Sequence, residues 1–340
     1  KKLSGVTLCE RDVLLNITGD SVARVCMVPD NVLPARVNQH VAIIRPNEKL
    51  LPGYLLYYLA SPYMQAYILN LAVGKGASRN ALTKGMIEDF PLLLPPIGTQ
   101  KRIAEILSAY NDLIERNRKQ IKLLEEAAQR LYKEWFVDLR FPGHESVPVI
   151  NGVPEGWAVQ SMNDIAEYIN GYAFKPEDWG AIGKPIIKIK EMGSGITADT
   201  PRNTGKTIPE KYNVTAGDIL FSWSATLSAM IWDEEDGFLN QHIFKVIPCE
   251  GISREFVLLS ILKTLDEFSN LTVGSTMKHI QRGKLKEVKV NVPTTDLMEH
   301  YKNVSEPIRE QILNVKRQII LLQEARDRLL PKLMSGEVEV

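Results

Sequence analysis

From Ile103 the apolar positions step alternately by four and three residues: Ile103, Leu107, Tyr110, Ile114, Asn117, Ile121, Leu124, Ala128, Leu131 and Trp135. A 3.5-residue repeat held over more than four heptads predicts a coiled-coil helix, with Asn117 as its polar interruption. The same stepping returns at Ile308, Ile312, Val315, Ile319, Leu322, Arg326, Leu329 and Leu333. Pro307 is suited to open this second helix, and Pro331 to kink or end it. Two such seams in one chain bury against each other or against another subunit; antiparallel pairing with each other is favoured, because each helix follows its own globular segment. Ile106, Leu113 and Leu123 widen the apolar stripe beyond a two-helix seam, so helices of a partner are expected to pack on the outside.

The segments between the helices change period. "GDILFSW" and "NQHIFKVI" are rich in β-branched and aromatic residues and predict strands, whereas "REFVLLSILKTLDEFS" and "PGYLLYYLASPYMQAYIL" have the spacing and length of helices. Each globular unit reads as short strands, a strand ending in the tripeptide region Asn-Gln-His, a helix and a final strand. The fold class is therefore α/β of the α+β kind.

These patterns occur twice. Asn38, Gln39 and His40 recur as Asn240, Gln241 and His242, 202 positions on; Asp12 matches Asp218 at 206; Gly85 matches Gly283 and Pro95 matches Pro293 at 198. "RKQIKLLEEAAQRL" from Arg118 lies over "KRQIILLQEARDRL" from Lys316, again at 198. The chain is a tandem duplication with a domain-sized period, too long for a solenoid. The second copy has a long stretch ahead of Asp218, "PEGWAVQSMNDIAEYINGYAFKPEDWG" and onward, and only eleven residues precede Asp12. The first copy is expected to lack its N-terminal part.

Composition narrows the class. With 340 residues, 44% apolar and 24% charged, the chain suits two soluble domains, and no eighteen-residue apolar stretch suggests a membrane span. Cys9, Cys26 and Cys249 form no CxxC, which fits a reducing cytoplasm and argues against a zinc module. Balanced charge, 41 basic against 41 acidic residues, weighs against a simple nucleic-acid binder. Locally the balance breaks. Thr272 to Val292 holds Lys278, His279, Arg282, Lys284, Lys286 and Lys289 against Glu287 alone. Lys175, Lys184, Lys188, Lys190, Arg202, Lys206 and Lys211 lie near Tyr172, Phe174 and Trp179. "GKGASRNALTKGMI" and "GSTMKHIQRGKL" begin with glycine and small hydroxyl residues and turn helical, the pattern of a phosphate site at a helix N-terminus. "DEED" at Asp233 to Asp236 reads as a surface turn. No GxxxxGK[ST], GxGxxG opening a βαβ unit, HExxH or NPPY is present, so no active site is expected in the chain.

The blocks "LLLPPIGTQKRIAEILSAYNDLIERNRKQIKLLEEAAQRLYKEWF", "PEGWAVQSMNDIAEYINGYAF" and "LLPKLMSGEVEV" resemble the specificity (S) subunit of Type I restriction-modification systems. The resemblance covers nearly the whole chain, in the expected order. It implies two target recognition domains, each reading one half of a bipartite site in double-stranded DNA, separated by two long helices that form an antiparallel intramolecular coiled coil and fix the spacer. It implies as partners two methyltransferase (M) subunits, which bring S-adenosylmethionine and methylate adenine, and motor-nuclease (R) subunits that use ATP and Mg. This chain would bind none of these cofactors. On that pattern residues 1–98 are the first recognition domain, 99–140 the first conserved helix, 141–154 a linker, 155–295 the second recognition domain, and 296–340 the second conserved helix and tail. At about 1.5 Å per residue, residues 103 to 135 span roughly 50 Å, more than the ~35 Å of one DNA turn.

If the two units read different half-sites, residues identical in both are not the discriminators. Residues that differ in matched loops are better candidates: Asn16, Thr18 and Asp20 against Ser222, Trp223 and Ser224, and Ser78, Arg79 and Asn80 against Thr276, Lys278 and His279. Lys75, Tyr172, Lys175, Lys188, Lys190 and Arg282 complete the DNA-facing set. The repeated Asn38–His40 and Asn240–His242 are assigned to a shared strand end or loop, structural or in contact with phosphate. Ile114, Asn117, Ile121, Leu124, Leu131, Ile312, Val315, Ile319, Leu322 and Leu329 form the coiled-coil seam. Two other readings fit the residues: the specificity portion of a fused Type II enzyme, and a coiled-coil scaffold that does not read DNA.

Overall fold

The computed structural model of the chain describes residues 4–73, 81–270 and 282–340. The chain divides into two compact units, and each takes part of both long helices. The first comprises residues 1–121 and 315–340, the second residues 122–314.

In the first unit, strands β1 (Val13–Asn16), β2 (Val25–Met27) and β3 (Val41–Ile44) form an antiparallel sheet in the order β2-β1-β3. Val13 and Leu15 are fully buried from the same face of β1, as alternation requires. Helices α1 (Pro52–Ala60) and α2 (Pro62–Ala72) cover the sheet. Both open on proline, and Ser61 divides them: it ends α1 and caps α2 through Met64 N–H. A short α3 (Lys84–Glu88) leads to α4 (Ile97–Tyr132), whose last residues belong to the second unit. Buried Gln100 ties the start of α4 to the chain before it. Its amide oxygen accepts from Leu51 N–H, and its Nε2 donates to the carbonyls of Lys49 and Pro95, all at 2.9 Å.

The second unit begins with the end of α4 and a π-helical turn, Lys133–Val137. A hairpin of β4 (Val149–Ile150) and β5 (Val153–Pro154) follows. Then come β6 (Ala158–Ser161), α5 (Met162–Ile165), β7 (Ala166–Asn170), β8 (Lys184–Ile187), α6 (Ile189–Ser194), β9 (Arg202–Asn203) and β10 (Asn213–Val214). The rest are β11 (Ile219–Ser222), β12 (Ser228–Ile231), β13 (Gly237–Leu239), β14 (Ile243–Pro248), α7 (Arg254–Lys263), α8 (Leu265–Asn270), β15 (Lys289–Val292) and α9 (Thr295–Ser335). Two four-stranded sheets result, β12-β11-β14-β7 and β10-β13-β8-β9, and β15 pairs with β6. The β11-centred strands repeat the first unit's sheet in register: Val13 faces Ile44 and Asn16 faces Val41, as Ile219 faces Val246 and Ser222 faces Ile243.

The long helices run antiparallel in each unit. In the first, Asn117 Nδ2 donates to Gln318 Oε1 at 3.4 Å, while Arg326 Nη1 donates to Asn111 Oδ1 at 2.8 Å, so higher numbers on α4 meet lower ones on α9. In the second, Trp135 packs on Tyr301 with ring centroids 5.8 Å apart, within a cluster that also holds Tyr132, Phe136, Trp157 and Phe256. Ile114, Ile312 and Val315 are buried, and Asn117, Ile121, Leu124, Leu131, Ile319, Leu322 and Leu329 are half-buried. Of the residues that widen the stripe, Ile106 packs into the first unit's own core, whereas Leu113 and Leu123 remain exposed.

Three expectations are corrected. The second helix starts at Thr295, not Pro307, and continues through Pro331 to Ser335. Pro307 removes one backbone bond, but the turns ahead of it bury Leu297, Met298 and Tyr301 against the aromatic cluster, which outweighs that loss. Beyond Pro331, Leu333 and Met334 pack with Ile103 and Leu107 in the first unit's core. The final strand expected in the first unit does not form: Pro91–Leu94, which match β15, are irregular. Strands need a ladder partner, and among the described residues of that unit none plays the part of β6. The carbonyls of Pro91 and Leu93 instead accept from the hydroxyls of Tyr58 and Tyr54, at 2.7 and 3.0 Å. In the first unit the Asn-Gln-His tripeptide precedes its strand and does not end one, while in the second it links β13 to β14.

Candidate nucleic-acid interface

Each tripeptide is a β-turn opening a strand. Val41 N–H donates to Asn38 O at 3.3 Å, and Ile243 N–H to Asn240 O at 3.1 Å. The carbonyl at the end of each turn accepts from the first residue of the neighbouring hairpin loop: Ile17 N–H to His40 O at 2.9 Å, Trp223 N–H to His242 O at 3.3 Å. A second pair of bonds repeats at the opposite end of the central strand. Asp12 Oδ2 accepts from Cys9 N–H and Asp218 Oδ2 from Thr215 N–H, both at 2.8 Å, closing the turn that enters β1 and β11. The two units therefore share one scaffold, fixed by matched side-chain and backbone bonds.

What the scaffold carries differs. In the first unit the loop from Ile17 to Arg24 holds the candidates Thr18 and Asp20, next to Asn16 at the end of β1. Asn16 Nδ2 donates to Ser21 Oγ at 2.6 Å, and Thr18 Oγ1 bonds His40 Nδ1 at 2.7 Å. Leu82 N–H donates to Ile17 O at 2.9 Å, and Thr18 bridges Ala81, so Ala81 and Leu82 lie directly beside this loop. Asn16, Thr18, Asp20 and the tripeptide thus lie together. Asp20 is exposed, and its carboxylate is an acceptor suited to cytosine N4. Lys75, Ser78, Arg79 and Asn80 lie outside the described residues.

In the second unit the loop is shorter. Ser222 and Ser224 are buried, at 0% and 2% exposure, and Ser222 Oγ donates to the carbonyls of Ser224 and Thr226. These serines shape the hairpin and do not face a ligand, because their hydroxyls are enclosed. Trp223 is half-buried, with its ring 5.7 Å from those of His242 and Phe244, and its Nε1 donates to Asn170 Oδ1 at 3.1 Å. Tyr172 joins the same place: its N–H donates to Leu239 O at 2.8 Å and it bridges Asn240. The preceding Gly171 lies so close to Asn240 that a Cβ would stand 2.1 Å from its carbonyl oxygen. Asn240 N–H donates to Ile187 O, which brings the backbone of Lys188 alongside, and Lys188 Nζ lies 5.4 Å from the centre of the exposed Trp179 ring.

Other candidates do not share this contact network. Lys175 heads a one-turn 3₁₀ helix and lies 3.7 Å from Glu177, while Lys190 is exposed on α6. Within the basic set, Arg202 makes a bidentate pair with Glu235 at 2.9 Å and Lys184 lies 3.9 Å from Asp236, so the "DEED" turn offsets two of those charges. Thr276, Lys278 and His279 lie outside the described residues, as does the side chain of Arg282. Asn170 is a residue that the sequence does not single out, and Trp179 stands out there only as an aromatic neighbour of the basic set. Asn170 stands in a stretch with no counterpart in the first unit, so the duplication gave no signal for it. Among the described residues no group of histidine, cysteine, aspartate and glutamate is placed to hold a metal ion. No described helix is long and apolar enough to cross a membrane.

The sequence profile of the type I restriction modification DNA specificity domain matches residues 7–126 and again 154–299. The type I restriction enzyme MjaIX specificity subunit of Methanocaldococcus jannaschii is 25% identical over 320 residues, covering 90% of this chain and 74% of that protein. The HindI specificity subunit of Haemophilus influenzae is 23% identical over 371 residues, covering 89% and 81%. In fold the chain is similar to the crystal structure of a Type-I restriction-modification S subunit from M. genitalium, at TM-score 0.58 and 16% identity over 96% of this chain and 84% of that one.

Proposed function

The chain belongs to the type I restriction modification DNA specificity family, and from that premise we propose how its parts divide the work. It is the DNA-specificity subunit of a Type I restriction-modification complex, and each recognition domain reads one half of a bipartite site. The observation that carries this division is the repeated scaffold with unlike loops: matched bonds at Asp12 and Asp218 and at His40 and His242 hold loops that differ in length and chemistry. In the first unit Asn16, Thr18 and Asp20 face the half-site; in the second Trp223, Tyr172, Lys188 and Asn170 do.

The chain supplies recognition, and its partners supply the chemistry. Two methyltransferase subunits carrying S-adenosylmethionine methylate adenine, and motor-nuclease subunits use ATP and Mg, all in the cytoplasm. The helix pair sets the spacer and docks the methyltransferase subunits. Leu113 and Leu321, 44% and 64% exposed, rim one recess with Asn117, Gln318 and Leu322, an apolar seat for a partner helix.

Genome-wide mapping of methylated adenine in cells with and without this subunit tests the reading. A bipartite motif with a spacer of constant length should vanish with the subunit. If no motif is lost, or a lost motif is continuous, the assignment fails.

A further inference from the structure

The Asn-Gln-His turns carry more chemistry than a turn requires. The asparagine serves the turn itself: Asn38 Oδ1 accepts from His40 N–H at 3.0 Å, and both asparagine carbonyls close their turns. The two central positions of a β-turn tolerate most residues. Yet glutamine and histidine occupy them in both units, and in both the glutamine Nε2 lies 3.3 Å from the histidine Nε2. Gln39 and His40 are exposed, so core packing does not select them; Gln241 is half-buried, and the half-buried His242 packs on Trp223 with its Nδ1 enclosed.

The placement indicates what does. Each pair borders the hairpin loop that differs between units, Ile17 to Arg24 or Trp223 to Leu227. The same glutamine–histidine contact beside two different reading loops is suited to something common to both half-sites. Bases differ between half-sites, whereas the sugar–phosphate chain is the same. A protein partner common to both units fits less well: such interfaces anchor on aromatic, aliphatic or arginine side chains, and Gln39 and His40 offer none. In the first unit one arrangement of protons satisfies both contacts of His40. When His40 Nδ1–H donates to Thr18 Oγ1, its Nε2 accepts one amide hydrogen of Gln39, and the second amide hydrogen remains to donate outward.

We propose that Gln39 and Gln241 each donate an amide N–H to one DNA phosphate, at equivalent places in the two half-sites, with His40 and His242 as positioning residues that hold the amides. This rests on the two-half-site reading. The contacts carry no sequence information and set the register in which the neighbouring loops meet the bases.

The test uses the full chain assembled with its methyltransferase subunits and a duplex bearing its mapped site. Gln39→Glu or Gln241→Glu should weaken binding by about tenfold or more, since a carboxylate then faces the phosphate. Gln39→Lys or Gln241→Lys should bind at least as tightly as the parent and steepen the dependence of log K on log salt by about one. All four should keep the parent's methylated sequence. With the unaltered complex, ethylating a single phosphate at the equivalent position of either half-site should block binding, which makes the test independent of any variant's folding. An altered recognition sequence would make these residues base readers and overturn the proposal. So would unchanged affinity in the glutamate variants, weakening in glutamate and lysine variants alike with loss of methyltransferase assembly, or an interference pattern without the matched phosphates. If the unaltered complex reads no bipartite site, the half-site reading itself falls; if it reads one and charge reversal has no effect, this assignment alone falls.

Discussion

The guanidinium of Arg45 clasps the buried carboxylate of Asp12, with Nε donating to Oδ1 at 2.7 Å and Nη2 to Oδ2 at 2.6 Å. The matching Asp218 has the same turn but no such clasp, because Ile247 stands where Arg45 would. The Arg45 hydrogen bond holds the Asp12 pKa below its ordinary value, against the opposing effect of burial. A lowered folded-state pKa gives stability that is present above the unfolded value, near 4, and lost as pH falls through the folded one. Arg45→Met should destabilise the first unit at pH 7 and flatten the loss of its stability as pH falls below about 4, read by urea unfolding.

Glu255 and Arg309 make the opposite case in the second unit. Glu255 is 7% exposed, and Arg309 Nε stands 2.8 Å from its Oε1 without the alignment of a hydrogen bond. Burial raises the Glu255 pKa although the Arg309 charge lowers it. The contribution of this carboxyl is therefore present below its unfolded value and lost as pH rises through the raised folded one. Arg309→Met should cost about 3–5 kcal/mol at pH 7 by leaving a buried charge unpaired. The pair Glu255→Gln with Arg309→Met should cost far less, and its stability should vary less between pH 4 and 8, measured by urea unfolding.

Trp223→Ala removes the ring that covers His242 and the donor to Asn170. Methylated-adenine mapping should show the second half-site relaxed or lost, with affinity down about tenfold, while the first half-site stays as it was. A change confined to the first half-site would reverse the assignment of units to half-sites.

The two faces of α4 should respond differently. Leu107 is fully buried in the first unit's core, and Leu107→Ala should lower stability by about 2–5 kcal/mol. Leu123 is 64% exposed. Leu123→Ala should leave the melting temperature of the isolated chain within a degree or two of the parent's and weaken methyltransferase docking, measured by co-purification.

Much of the fold was legible because it is written in local periods. The heptad residues from Ile114 to Leu131 and from Ile312 to Leu329 all lie at buried or half-buried places. The matched sheets follow Asp12, His40 and their counterparts with no register error. The recognition face was legible only in part. Thr18 and Trp223 stand out because they differ between copies, a criterion that detects variation but not exposure. It therefore also picks Ser222 and Ser224, which the hairpin buries, with Ser222 Oγ turned onto the carbonyls of Ser224 and Thr226.

Sequence by itself determined the duplication, the family, the two long helices and the offsets that align the units, since repetition and heptad spacing are properties of order along the chain. Tertiary structure alone decided which distant residues share a face. Tyr172 meets Asn240 because Gly171 lets two backbones touch, and His40 meets Thr18 because β1 and β3 pair. It also decided that Pro91–Leu94 form no strand while Lys289–Val292 do, because a ladder needs a partner that no single segment contains.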